Sequence, residues 1–470
     1  MGDWYSRFLF ERMLAAMYLV GFAVAANQFV PLLGERGLLP VSRFTQVVPF
    51  RASPSLFFLS PTDMAFRVAA WLGIALAVLT LIGWPQQRGS VASATVWALM
   101  WVLYLSFVNV GQTFYSFGWE TLLLESGFLA IFLGGWTTAP SMWLVWMYRW
   151  LLFRVMFGAG LIKIRGDSCW RDLTCLNYYF ETQPIPNSLS WYFHWLPEAV
   201  HKGGVAFNHF VELVVPFAYF APQPVAGIAG LLTICFQGVL IVSGNLSWLN
   251  WLTLTLCIPT LDARFLSWLP LMPPALDEPS LVHRGAIYGL AAIVAVLSVA
   301  PTLNMLSASQ IMNTSFEPFH VVNTYGAFGS ITRTRYEIVI EGTDDEKLTS
   351  TTTWREYEFK GKPGNPRRRA PQIAPYHLRL DWLMWFEAFS PRPQNEWFIA
   401  LLQRLLQGDP RTLSLLATNP FPEGAPRFLR ARYYRYRFTD PDERRRTGHW
   451  WNRELAGEYV PAITLAAFDR

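Results

Sequence analysis

Nine apolar runs in the first three hundred or so residues constrain this chain more than any other feature. They fall at 12–33, 64–84, 91–110, 120–136, 141–163, 205–221, 223–243, 247–261 and 284–306. A run of about 20 apolar residues matches the hydrocarbon thickness of a bilayer, and no water-soluble core accounts for so many. The sequence therefore predicts a polytopic α-helical membrane protein of about nine transmembrane helices. The short runs 120–136 and 247–261 also suit a buried core helix or a re-entrant segment. The first run is too long for a signal-peptide core, lacks a small-residue cleavage pattern and leads at once into further spans, so it is expected to act as the insertion signal.

Beyond about Ser309 the apolar runs give way to arginine, acidic residues and proline. The expected division is a helical membrane domain at 1–308, with a polar loop at 163–205, and a soluble C-terminal domain at 309–470. In the latter, TRTRYEIVIEGT, TTTWREYEFKGKPG and RFLRARYYRYRF alternate with period two, as half-buried strands do. LDWLMWFEAF, NEWFIALLQRLLQ and RTLSLLATN have helical spacing. The domain is thus an α+β unit rich in antiparallel strands.

Orientation is weakly marked, because Arg7 and Arg12 precede the first span while Arg36, Arg43 and Arg51 follow it. A cytoplasmic N-terminus is the expectation, which with nine spans puts the 163–205 loop and the C-terminal region outside the cytoplasm. The net charge of +5 rests on thirty-three arginines and five lysines, with much of the excess in PRRR, RARYYRYR and DERRR of the C-terminal domain. Beside a membrane, such arginines suit acidic protein or phospholipid head groups, or a solvated strand face, better than nucleic acid.

Ionisable residues inside apolar runs are expensive and face a partner or a wet cavity. The set is Glu120, Glu125, Arg149, Arg154, Lys163, His209 and Glu212, joined by Asn208. Asn208, His209 and Glu212 share one side of a helix, whereas Glu120 and Glu125 turn well apart and should take partners from different elements, as should Arg149 and Arg154. Structural ion pairs and a catalytic or ligand site account for this set equally well. Lys163, at the membrane edge, reads first as a snorkelling lysine; partly withdrawn from water, it would also serve as a catalytic base. Cys169 and Cys175 can form a disulfide if their loop faces an oxidising compartment, or remain two thiols. Trp382, Trp385, Arg432, Tyr434, Trp450 and Trp451 suit a client-binding face or the core of the C-terminal domain. Of the seven histidines only His194, His201 and His209 come close in sequence, and no metal or cofactor site is expected. The chain has no nucleophile elbow, zinc-protease, phosphate-loop, C-x-x-C or dinucleotide signature. Matching halves with broken helices, the mark of a transporter, are also missing.

FGWETLLLESGFLAIFL at 117–133, FRVMFGAGLIKIRGDSCWRDLTCL at 153–176, ETQPIPNSLSWYFHWLP at 181–197, NHFVELVVPF at 208–217 and SGNLSWLNWLTLTLC at 243–257 resemble the lipase maturation factor family. So do NTYGAFGSITRTRYEIVIEGT at 323–343, WREYEFKGKPGNPRRR at 354–369, PYHLRLDWLMWF at 375–386, NPFP at 419–422 and TGHWWNREL at 447–455. The resemblance implies a multi-spanning protein of the endoplasmic reticulum membrane in animals, chaperone-like towards secreted homodimeric lipases, with a lumenal C-terminal domain that holds the client and no catalytic residue. Arginine in place of lysine and short loops suggest a bacterial member in the plasma membrane. The membrane half is more distantly similar to vitamin K-dependent carboxylases. That likeness implies a membrane enzyme acting on a quinol, with Lys163 as base and Glu120, Arg154, His209 and Glu212 lining one lipid-accessible pocket. A chaperone implies dispersed helix pairs instead.

Overall fold

The computed structural model describes residues 4–468. Within hydrocarbon a segment must satisfy its own backbone bonds, and the apolar runs accordingly form helices. In chain order these are α1 (Trp4–Leu33), α2 (Asp63–Leu81), α3 (Ser90–Val110), α4 (Gly118–Ala130), α5 (Met142–Arg165), α6 (Glu198–Leu213), α7 (Val225–Ser243), α8 (Leu249–Cys257) and α9 (Leu281–Leu306). Among the described residues, α1, α2, α3, α5, α7 and α9 are long and apolar enough to cross a membrane, six in all against the nine expected. The runs at 120–136, 205–221 and 247–261 give the shorter α4, α6 and α8, of 13, 16 and 9 residues. Each is wedged among longer helices: α4 on α3, α6 on α5, α8 on α7. Helix α1 is the hub, and α2 approaches it so closely at Gly73 that a Cβ there would lie 2.4 Å from the Phe22 ring.

The C-terminal region builds an antiparallel sheet from β1 (Arg335–Thr343), β2 (Arg355–Glu356), β5 (Phe428–Phe438) and β6 (Trp451–Ile463), in the order β2-β1-β5-β6, with β3 (Glu358–Phe359) and β4 (Leu416–Thr418) as a separate pair. Ile338 stands opposite Tyr433, and Tyr434 opposite Leu455. One face of the sheet, with Ile338, Ile340, Leu429 and Ala431, belongs to the same core as α10 (Arg379–Glu387) and α11 (Glu396–Leu406). Strand β1 is not half-buried as its alternation suggests. Its other face is covered too, and holds Arg335 and Glu337 fully buried. The segment RTLSLLATN is not a continuous helix: Asp409 caps a single turn at Pro410–Leu413, after which the chain extends as β4 to pair with β3.

The polar loop and the C-terminal region lie at one end of the helices. Gln28 near the end of α1 donates to the carbonyl of His377 at 2.6 Å, Asp63 at the start of α2 pairs with Arg411 at 2.5 Å, and Arg165 at the end of α5 donates to Gln310 at 3.0 Å. Arg335 reaches down from the sheet to the carbonyl of Pro184 at 3.0 Å, and Trp191 up to that of Thr439 at 2.8 Å. At the opposite end the start of α1 meets the 131–141 turn, where Arg7 donates to the carbonyl of Trp136 at 2.8 Å. One hydrophobic core runs from α1 to the sheet without a break.

Candidate functional site

The polar residues inside the helices resolve into separate pairs rather than one pocket. Glu120, in the first turn of α4, meets Arg379 of α10 at 2.7 Å; Trp119 donates to the same carboxylate at 3.1 Å, and the Tyr104 hydroxyl also reaches it. Arg379 continues to the carbonyl of Phe114 at 2.6 Å and lies 3.4 Å above the Tyr115 ring. Just over one turn along α4, Glu125 pairs with Arg154 of α5 and accepts from Asn323 N at 3.0 Å and from the Tyr325 hydroxyl at 2.8 Å. Arg149 takes a carbonyl, that of Pro259, at 3.1 Å. Glu120 and Glu125 thus find different partners, as their spacing predicts.

Lys163 is fixed between α5 and α6. Its Nζ donates to Glu212 at 2.6 Å and to Asn208 at 2.9 Å, and Asn208 closes the triangle onto Glu212 at 2.9 Å. The Trp170 ring covers the ammonium at 5.0 Å. His209 leaves this patch and bonds the carbonyl of Trp170 at 2.9 Å. All three members of the triangle are buried. Lys163 thus cross-links α5 to α6, and its ammonium is buried rather than snorkelling into water.

The joint between the two halves is built from the Asp167–Cys175 segment. Cys169 and Cys175 form a disulfide with Cα atoms 4.8 Å apart. Asp167 caps the turn that follows by accepting from Cys169 N at 3.0 Å, and grips Arg333 at 2.7 Å. These donors hold its carboxyl at about 2, below the ordinary 3.8. Trp170 donates to the carbonyl of Phe328 at 2.8 Å, and Asp167 N to that of Gly329 at 2.8 Å. The backbones touch here: a Cβ on Gly166 would lie 2.2 Å from the Gly329 oxygen. Alongside the joint, Arg335 and Lys362 both pair with Glu337, at 2.6 and 2.7 Å, in the covered face of the sheet.

Of the aromatic candidates, Trp382, Tyr434 and Trp451 are buried and pack the interior, whereas Trp385, Arg432 and Trp450 keep part of their surface. Trp385, Phe389, Tyr336, Tyr433 and Arg333 border a cleft of about 360 Å³ between α10 and the sheet. Its existence was not legible in the sequence, because Trp385 and Tyr433 are 48 residues apart. No group of three or more histidine, cysteine or acidic side chains suited to a metal occurs among the described residues.

Two family models cover this architecture: the lipase maturation factor transmembrane domain matches residues 5–268, and the lipase maturation factor C-terminal domain residues 321–461. The chain belongs to the lipase maturation factor family. Lipase maturation factor 1 of Bos taurus is 44% identical over 98% of this chain and 89% of its own length. The Homo sapiens protein of the same name is 44% identical over 98% and 88%. Lipase maturation factor 2 of Homo sapiens is 28% identical over 98% and 82%. No solved structure matches. These relatives are animal proteins, and they lend no support to a bacterial plasma-membrane member. Nor do they support the carboxylase-like enzyme, whose single pocket is replaced here by dispersed pairs. The lipase maturation factor fold described above is an integral membrane one.

Proposed function

We propose that this chain is a membrane-embedded, chaperone-like factor that assists the maturation of secreted lipases or other exported clients. What carries the reading is an overall identity of 44%, over an alignment that covers 98% of the chain, to proteins named for lipase maturation. We assign the membrane to the endoplasmic reticulum and the sheet to its lumen; a disulfide on the same side as the sheet suits an oxidising compartment. In this reading residues 1–308 anchor and 309–470 receive the client, with Trp385, Arg432 and Trp450 as the accessible members of the aromatic set.

The test is to express the chain in cells that lack lipase maturation factor 1, together with a secreted lipase, and to measure secreted activity per lipase molecule. Restored specific activity is expected. Unchanged specific activity at a normal level of correctly inserted protein would sink the proposal.

A further inference from the structure

Residues 187–200 follow on from contacts with the C-terminal end of α7, one of the helices long and apolar enough to cross a membrane. Ser190 Oγ donates to the carbonyl of Ser243, the last residue of α7, at 2.9 Å, and Asn187 Nδ2 to that of Val242 at 2.9 Å. On its outside this segment carries Tyr192, Trp195 and Leu196, which are 45%, 43% and 38% exposed. Amphipathic aromatic side chains at a span end suit the boundary between acyl chains and head groups, where ring and polar edge both find their medium.

Over this belt lies a basic layer. Arg369 donates to the carbonyl of Ser188 at 2.8 Å and stands 5.1 Å from the Trp450 ring. Arg444 stacks on Trp450 at 3.5 Å and reaches Trp191 at 4.9 Å. Neither of these, nor Arg446, joins an ion pair among the described residues. The neighbouring carboxylates are occupied elsewhere: Glu443 by Arg437 at 2.8 Å, Asp442 by Arg445, and Glu198 by Lys202 at 2.9 Å. Two guanidinium groups without carboxylates, those of Arg369 and Arg444, therefore lie over this segment. A guanidinium meets a phosphate through paired N–H bonds, and stacking on tryptophan leaves its edge free to do so.

We propose that this face binds anionic phospholipid, with Tyr192, Trp195 and Leu196 entering the interface and Arg369 and Arg444 taking the phosphates. The helix carrying Arg444 and Arg446, Pro441–Thr447, connects β5 to β6. Lipid bound here fixes the tilt of the whole sheet against the leaflet. An acidic protein segment would meet the same arginines, but it does not explain the apolar trio beside a span end.

The full chain in detergent micelles is titrated with phosphatidylserine and, separately, with phosphatidylcholine, and bound lipid is counted by native mass spectrometry. Preference for phosphatidylserine is expected, falling about fivefold for each of Arg369→Gln and Arg444→Gln, with phosphatidylcholine unaffected. Rising salt should weaken phosphatidylserine in the unaltered protein too, a readout that no misfolded variant can confuse. Equal phosphatidylserine binding by wild type and the double variant overturns the assignment, as does indifference to salt. Inorganic phosphate binding as tightly as the lipid would reduce the face to an ion site, and a glutamate-rich peptide displacing the lipid would hand it to a protein partner; either result overturns it.

Discussion

The triangle of Lys163, Asn208 and Glu212 separates two roles that a lysine at a membrane edge can have. Removing one member of a buried pair strands the other charge, at a cost of about 3–5 kcal/mol, whereas removing both charges together is often neutral. Lys163→Met should therefore lower the melting temperature of the solubilised protein sharply, and Lys163→Met with Glu212→Leu should recover most of it. If Lys163 also served as a base, activity would stay lost in the double variant after stability had recovered. Asp167 makes a second residue-scale prediction. Its carboxyl is held at about 2 by Arg333 and backbone donors, below the ordinary 3.8. A lowered folded value means that its stabilisation is complete above about pH 4 and fades as pH falls towards 2. Asp167→Asn should remove that part of the acid sensitivity, read as a flatter melting temperature over this window than in the wild type.

At the scale of elements, the disulfide closes a short loop that carries Trp170 and begins within the turn that Asp167 caps. The chain-entropy account gives such a loop about 2 kcal/mol. Cys169→Ser with Cys175→Ser should lower stability by that order, and because both cysteines are buried, a maleimide should label neither before denaturation even under reductant. Helix placement was legible because apolar length is a local property: the runs of 19 residues or more became helices α1, α2, α3, α5, α7 and α9. Asn208 and Glu212, four apart on one helix, likewise announced their bond. Their partners were less so. Arg379 pairs with Glu120 from 259 residues away, and no local pattern carries that pairing. Strand β1 misleads for the same reason. Alternation reveals one buried face, but Arg335 and Glu337 read as solvated until the 181–184 carbonyls and Lys362 are brought over them.

Across the whole molecule, composition suggests a membrane part and a detachable soluble part, while the packing binds them. Glu120 depends on Arg379, and Glu125 on Asn323 and Tyr325. Gln28 and Asp63 at helix ends are likewise satisfied by the C-terminal region. Cutting the chain near 308 would leave Glu120 without its cation and Gln28 without its partners in an apolar interior, each a cost of about 1–3 kcal/mol and more for the charge. It would also bare the aromatic surface of Phe117 and Trp119 that packs on Trp382. We therefore expect residues 1–308 expressed alone to aggregate on extraction, and the full chain to melt in one transition rather than two. Limited proteolysis after Ser309 offers the complementary measurement. If the halves are one cooperative body, a nicked chain stays associated through purification and comes apart only in denaturant; free separation of a folded 309–470 fragment would show instead that the two parts are independent and that client binding can be studied on the fragment alone.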